Sequence, residues 1–125
     1  MKLKLLYVLA ATAFSLNVAA EQTCYAGADT TTATDRFTIN TDGTVSDSET
    51  GLMWQRCSYS QTYNEDTELC EGSTPSINWQ EALRGAKNDT TADYDDWQVP
   101  NIKELASILE HSCTEPSINE DVFLG

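Results

Sequence analysis

Oxygen-bearing side chains recur at short intervals around a glycine in the segment 40–47 of this chain. Asn40, Asp42 and Asp47 flank Gly43, and carboxylate and carboxamide oxygens are the hard ligands that Ca²⁺ prefers. The segment has no bidentate Glu at the twelfth position of an EF-hand loop, and Gly43 comes too early for such a loop. An Asp-Gly hairpin turn explains the same residues. The sequence favours the turn, with calcium bound by Asn40, Asp42 and Asp47 as the alternative.

Aromatic and polar side chains coincide in two other segments, a polar loop after residue 57 and a short acidic stretch before residue 97. Aromatic rings offer apolar area and stack on sugars, while carboxamides and carboxylates supply hydrogen bonds. Such a combination suits the binding of a glycan or of a protein. The candidate ligand-binding residues are Tyr59, Tyr63, Asn64, Tyr94, Asp95 and Asp96.

The sequence offers no organised catalytic set. The single histidine, His111, is not paired with a serine nucleophile and has no partner at zinc-ligand spacing. A Cys-x-x-Cys redox motif is absent. The carboxylates have no evident apolar pocket that would separate their pKa values. We therefore expect a protein that is not an enzyme and needs no cofactor, calcium being the one possible exception.

The first twenty residues are typical of a secretory signal peptide. Lys2 and Lys4 form a basic start, residues 5–14 form an apolar run, and residues 18–20 are small or apolar, as signal peptidase requires. The run is shorter than the roughly 20 apolar residues that span a bilayer. We expect cleavage after Ala20 and export to the periplasm or the cell exterior, without a membrane span.

The exported chain is strongly acidic. Removing residues 1–20 takes away two of the seven Lys and Arg and none of the twenty Asp and Glu, which leaves a net charge of −15. Such a field repels nucleic acids, anionic lipids and sulfated polysaccharides. Nucleic acid is therefore excluded as a partner, and neutral glycans or proteins at the cell surface remain.

All four cysteines lie downstream of the signal peptide. An even number of cysteines in an exported chain indicates two disulfides, for which three pairings are possible. The preferred set joins Cys57 to Cys70 across a polar loop and Cys24 to Cys113 across most of the chain, because a crosslink over a longer separation removes more unfolded-state entropy.

The order of apolar and turn residues predicts strands first and helices later. Residues 21–35 are expected to form an extended lead-in. Alternation around Phe37 and Ile39, followed by Asp-Gly, predicts a hairpin, and another strand is expected over residues 52–57. The polar segment 58–76 is predicted to be a disulfide-tied loop.

Two helices are predicted, each beginning after an asparagine with a glutamate three residues on, at Asn78 and Asn101. Apolar residues at helical spacing predict that one face of each helix packs on the core. These residues are Trp79, Ala82, Leu83 and Ala86 in the first helix and Ile102, Leu105, Ala106, Ile108 and Leu109 in the second. The expected fold is a small, disulfide-stapled α+β domain, with two helices packed on a few antiparallel strands.

Two short patterns carry a resemblance to a known family. They read GTVSD at residues 43–47 running into TGLMWQ at 50–55, and DWQVPNIKEL at 96–105. Together they resemble the Lcl C-terminal domain family, a group of secreted bacterial domains named after a collagen-like adhesin. The Cys57–Cys70 pairing also fits the family pattern. A proline followed by a helix is similar to corners in C-type-lectin-like folds, so a lectin-like architecture is expected.

The resemblance assigns residues 36–125 to the N-terminal portion of such a domain. Members of the family usually continue into further strands, so we expect a truncated or alternative form of a longer chain. The family generally has Arg where this chain has Gln98, and the loss of that cation leaves Asp95 or Asp96 without a partner.

The resemblance also implies a function, since the namesake domain contributes to adhesion, binds sulfated polysaccharides and tends to trimerise. Only the general role fits an exported chain of charge −15, from which residues 1–20 have been removed. We expect an interaction or adhesion domain, with a homo-oligomer possible. The alternatives are a lectin-fold enzyme whose catalytic residues lie in an absent C-terminal part, and a structural component of the envelope or of a pilus.

Overall fold

The computed structural model describes residues 21–125, so the signal peptide predicted for residues 1–20 lies outside the described residues. The strands form three separate antiparallel groups, β2-β3-β4, β5-β6 and β1-β7, and two helices follow β6. This content confirms a small α+β domain. The elements are β1 (Thr23–Cys24), β2 (Phe37–Ile39), β3 (Thr44–Asp47), β4 (Met53–Gln55), β5 (Thr62–Asn64), β6 (Leu69–Glu71), α1 (Trp79–Asn88), α2 (Ile102–Ser107) and β7 (Cys113–Thr114).

The predicted hairpin at residues 37–47 is confirmed as β2 and β3. Asp42 Oδ1 accepts hydrogen bonds from the backbone N of Thr44 at 3.0 Å and from its hydroxyl at 2.7 Å, which closes the turn locally. Gly43 follows with φ of +82°, a conformation that glycine adopts without steric cost. β4 then pairs with β3, where Val45 lies opposite Trp54.

Gly43 is also packed too tightly for a side chain. A Cβ placed there would lie 2.5 Å from Cβ of Tyr63, an atom close to the backbone of β5. We expect Gly43→Ala to lower the free energy of unfolding by about 3 kcal/mol, from backbone strain and overpacking together. Gly51→Ala is the control, because its φ is +73° and no atom would lie within 4 Å of its Cβ. Urea unfolding should show a loss of about 1 kcal/mol for the control. If both variants lost the same free energy of unfolding, the close packing of Gly43 against Tyr63 would be contradicted.

A small apolar core lies between the three-stranded sheet and the C-terminal segment of the chain. Val45 and Val122 are fully buried, and the ring of Phe123 packs edge-on against Phe37 and Trp54, with centroids 5.7 and 6.4 Å apart. The core consists of Phe37, Val45, Ile108, Val122 and Phe123, with Trp54 and Ile118 packed against it.

A buried carboxylate holds the lead-in of residues 21–35 against the rest of the domain, in addition to the pairing of β1 with β7. Glu110 is 3% exposed and accepts hydrogen bonds from the backbone N and hydroxyl of Thr32, both at 2.8 Å. It also accepts from the hydroxyl of Ser112 at 2.6 Å. Burial alone would raise the pKa of Glu110, but the hydrogen bonds from Ser112 and Thr32 outweigh it and hold that pKa well below its usual range.

Both preferred disulfides are present. Cys24 and Cys113 lie directly opposite each other in β1 and β7, and Cys57 is joined to Cys70. The segment 58–76 differs from the predicted loop, because it contains the hairpin of β5 and β6. Cys70 lies in β6, where it pairs with Tyr63 of β5. The disulfide therefore joins this hairpin to Cys57, the residue directly after Arg56.

Both helices begin as predicted, after Asn78 and Asn101, and each has a complete capping box. The prediction that they pack on the core is wrong. Within the described range neither helix contains a buried residue, Trp79 is 67% exposed and Ile102 is 79% exposed. Of the predicted core-facing residues only Ile108, which follows α2, is buried. Leu83, Leu105, Ala106 and Leu109 are exposed, and Ala82 and Ala86 are half-buried.

The physical reason is that helical spacing defines an apolar face without defining what covers it. Val122 and Phe123 occupy the core against the sheet. Arg56 holds this C-terminal segment in place, since its guanidinium donates to the backbone O of Val122 at 2.8 Å and of Asp121 at 3.1 Å. The helices border a cleft instead.

Candidate functional site

An open cleft of about 610 Å³ lies beside β4, α1 and the segment 94–100. This volume falls in the range of about 300–1,000 Å³ that is usual for small-ligand sites. Apolar walls come from Leu52, Met53, Ile77, Ala82, Ala86, Val99 and Pro100. Aromatic rings come from Trp54, Tyr59, Tyr94 and Trp97, and polar groups from Gln55, Asp89, Asp96, Gln98 and Glu104.

A hydrogen-bond chain connects the walls of the cleft. Gln55 Nε2 on β4 donates to Asp89 Oδ2 at 3.0 Å, just after the end of α1. Asp89 Oδ1 accepts from the backbone N of Thr91 at 2.8 Å and from its hydroxyl at 2.6 Å. The indole N–H of Trp97 then donates to the backbone O of Thr91 at 3.0 Å. These contacts fix the strand, the helix end and Trp97 relative to one another.

Asp89 is ionised in this setting. Burial would raise the pKa of Asp89, but the hydrogen bonds from Gln55 and Thr91 outweigh it and lower the pKa below its ordinary value. The cleft therefore contains a fixed negative charge at neutral pH.

Three of the four rings pack edge-on against another ring, and two of the four are exposed. Trp54 is half-buried against Phe123, and Tyr94 packs edge-on against Trp97 with centroids 6.0 Å apart. Tyr59 and Tyr94 are exposed. The indole N–H of Trp54 is buried and finds no acceptor within residues 21–125, an arrangement that usually costs about 1–3 kcal/mol. Trp54 thus combines a cleft position with an unused hydrogen-bond donor.

The structure brings part of the predicted ligand-binding set together. Tyr59 of the first segment and Tyr94 and Asp96 of the second line the same cleft. Asp95 is exposed but is not among the cleft-lining residues.

The other two predicted residues belong to the β5-β6 hairpin and have structural partners. Tyr63 packs under Gly43, and the guanidinium of Arg56 lies 5.7 Å from the centre of its ring. Asn64 Oδ1 accepts from the backbone N of Asp66 at 2.9 Å, and its amide donates to Glu71 at 2.6 Å. Neither residue lines the cleft.

Sequence reasoning missed several residues of the cleft. Trp54 and Trp97 line the cleft, but neither is among the predicted ligand-binding residues. Gln55 and Asp89 were not singled out at all. The available signal for Asp89 was its place directly after a helix and two residues before Thr91, a spacing at which Asp caps a local turn.

The three residues of the calcium hypothesis are each engaged by protein groups. Asp42 closes its turn with Thr44, and the amide nitrogen of Asn40 donates to the hydroxyl of Thr44 at 2.9 Å. Asp47 is paired with Arg36, whose Nε donates to Oδ1 at 2.7 Å and thereby lowers the pKa of Asp47 well below its usual range. Among residues 21–125, no group of three or more His, Cys, Asp or Glu is arranged to hold a metal ion. Calcium binding stays an untested prediction.

Within the described part of the chain, no helix has the length and apolar character needed to cross a membrane. Two disulfides are typical of proteins from an oxidising compartment.

The fold and the cleft define a small, disulfide-bonded α+β domain with an open, aromatic-lined cavity. The sequence model of the Lcl C-terminal domain matches residues 43–125, and the chain therefore belongs to the Lcl C-terminal domain family. All residues that line the cleft fall within the matched region. No curated protein and no solved structure shows a significant match to this chain.

Proposed function

We propose that this chain is an exported, non-enzymatic interaction domain of the adhesion type, and that the cleft is where it binds its ligand. The observation that carries the proposal is the open cavity of about 610 Å³ with four aromatic rings in its walls. Apolar cavities with a few polar groups at their edge are the usual form of a binding site. An aromatic-rich surface of this kind is also typical of interfaces.

A protein ligand is the first candidate, because apolar surface continues from the cleft along α1. Ala82 and Ala86 line the cavity, while Trp79 and Leu83 belong to the same helical stripe and are exposed. Exposed, clustered apolar side chains indicate protein interaction surfaces.

A neutral glycan is the second candidate. Tyr94 and Trp97 offer ring surface, and Asp96 and Gln98 lie beside them in the cleft wall. Rings that stack on sugar faces next to groups that bind hydroxyls are the chemistry such a ligand needs.

Export and a lectin-like architecture belong to the same proposal. Export is supported by the signal-peptide pattern of residues 1–20 and by the two disulfides. The lectin-like architecture is supported by the corner at Pro100, after which Asn101 caps α2 with hydrogen bonds from the backbone N of Lys103 and Glu104.

The test is a selection for ligands followed by a matched pair of variants. The exported chain with its disulfides formed is used to select binders from a random peptide library and from an array of neutral glycans. Tyr94→Ala should weaken the selected ligand about tenfold or more, since aromatic anchors carry much of the binding energy. Tyr25→Ala is the control, because Tyr25 is exposed and lies outside the cleft.

Other outcomes decide between the proposal and its rivals. Equal effects of Tyr94→Ala and Tyr25→Ala, with both variants folded by thermal unfolding, would place binding elsewhere and contradict the cleft. Chemical conversion of a bound ligand would favour the lectin-fold enzyme. Stable assembly with envelope or pilus proteins, unaffected by Tyr94→Ala, would favour the structural component.

A further inference from the structure

The charge of the cleft is uniform in sign. Asp89, Asp96 and Glu104 line it, and among the described residues no Lys, Arg or His contributes to its walls. The pKa of Asp89 is lowered by hydrogen bonds from Gln55 and Thr91, so this carboxylate keeps its charge at neutral pH. The whole exported chain adds a field of the same sign. An anionic occupant is therefore repelled, and a cationic one is attracted.

The aromatic rings of the cleft also favour a cationic ligand, as the carboxylates do. The faces of Trp and Tyr attract ammonium and guanidinium groups through their quadrupole, and Trp does so most strongly. Trp54, Tyr59, Tyr94 and Trp97 all line the cleft. A cation that enters it is attracted by both the ring faces and the carboxylate charges, whereas a neutral sugar gains only stacking and hydrogen bonds.

The size and the apolar walls of the cleft favour a peptide over a small cation. A cavity of about 610 Å³ is far larger than a single ammonium group requires. The apolar wall residues, such as Met53 and Ile77, suit a segment with apolar side chains next to its charge.

We propose that the occupant of the cleft is a segment of a partner protein in which Lys or Arg alternates with apolar residues. This inference rests on the proposed function, because it names the class of ligand for the same cleft. A second copy of the chain is a poor occupant, since two chains that each carry a net charge of −15 after removal of residues 1–20 repel each other.

The test compares peptides that differ only in charge. Three acetylated octapeptides carry Leu and Val at alternate positions, and their other positions are all Lys, all Gln or all Glu. Calorimetric titration of the exported chain should show that the Lys peptide binds about tenfold more tightly than the Gln peptide, and that the Glu peptide does not bind. The affinity for the Lys peptide should fall as salt is added.

Matched variants separate the cleft from the overall acidity of the chain. Asp96→Asn should weaken the Lys peptide about threefold and leave the Gln peptide unchanged, because Asp96 is an exposed carboxylate in the cleft wall. Asp66→Asn removes the same charge from the β5-β6 turn, outside the cleft, and should leave both affinities unchanged. Equal weakening by the two variants would mean non-specific attraction and would overturn the inference.

The remaining outcomes separate failure of this inference from failure of the proposed function. If the Gln peptide or a neutral glycan binds as tightly as the Lys peptide, and Tyr94→Ala weakens it, the cleft is a ligand site but not a cation site. If no peptide and no glycan binds, both proposals fail. If sedimentation shows a dimer that Tyr94→Ala dissociates, the occupant is a second copy and the inference is overturned.

Discussion

Glu110→Gln is expected to lower the free energy of unfolding by about 3 kcal/mol. The carboxylate of Glu110 is surrounded by donors, namely the backbone N and the hydroxyl of Thr31, Thr32 and Ser112. Glutamine keeps the shape but turns one acceptor into an NH₂ group that faces these donors. Each buried donor left unpaired costs about 1–3 kcal/mol. Urea unfolding measures the change.

Glu120→Gln is the matched control, since Glu120 is exposed and close to the same end of the chain. It should change the free energy of unfolding by no more than about 0.5 kcal/mol. A loss of that size for Glu110→Gln as well would mean that the lead-in is not held by this carboxylate.

The pH dependence of stability follows from the same site. The pKa of Glu110 in the folded chain lies below its ordinary value near 4.5, so the unfolded chain binds the proton more tightly. The stabilisation is fully present above that value and is lost as the pH falls below it. The unfolding free energy of the native chain should therefore drop more steeply below about pH 4.5 than that of Glu110→Gln.

Removal of the Cys24–Cys113 disulfide is the second change with a large expected effect. This bond closes a separation of 89 residues, whereas Cys57–Cys70 closes 13. In the chain-entropy account, replacing both cysteines by serine should cost about 4.5 kcal/mol for the first bond and about 3 kcal/mol for the second. The small core of the described domain gives little reserve to absorb either loss.

Urea unfolding of the two double-serine variants tests this order. Cys24→Ser/Cys113→Ser should be the less stable variant, with β1 and the lead-in losing protection from amide hydrogen exchange first. A greater loss in Cys57→Ser/Cys70→Ser would contradict it and would show that the β5-β6 hairpin contributes more to stability than the pairing of β1 with β7.

Local signals in the sequence predicted local structure well. The caps at Asn78 and Asn101 depend only on residues three positions apart, and the Asp42-Gly43 turn depends on adjacent ones, so each was recognisable from short patterns. The disulfide pairing followed from loop entropy and from the small number of cysteines.

Long-range contacts could not be predicted in the same way. Glu110 is 78 residues from Thr32, and the residues next to either one do not indicate that the two side chains are in contact. The prediction that the helices pack on the core was wrong for a related reason. The spacing of Trp79 and Leu83 defines an apolar stripe on α1 whether or not another part of the chain packs on it. The cleft likewise depends on Gln55 reaching Asp89 across 34 positions.

The most direct test of the cleft as the ligand site uses the three tryptophans as reporters. Trp54 and Trp97 line the cleft, while Trp79 is exposed on α1 outside it. The best peptide from the library selection is added stepwise to residues 21–125 with ¹⁵N-labelled indoles, and a two-dimensional NMR spectrum is recorded at each step. We expect the Trp54 and Trp97 signals to move in a saturable way, with the Trp79 signal moving as well only where the peptide extends from the cleft along α1. Movement of Trp79 alone, with Trp54 and Trp97 unchanged, would contradict this expectation.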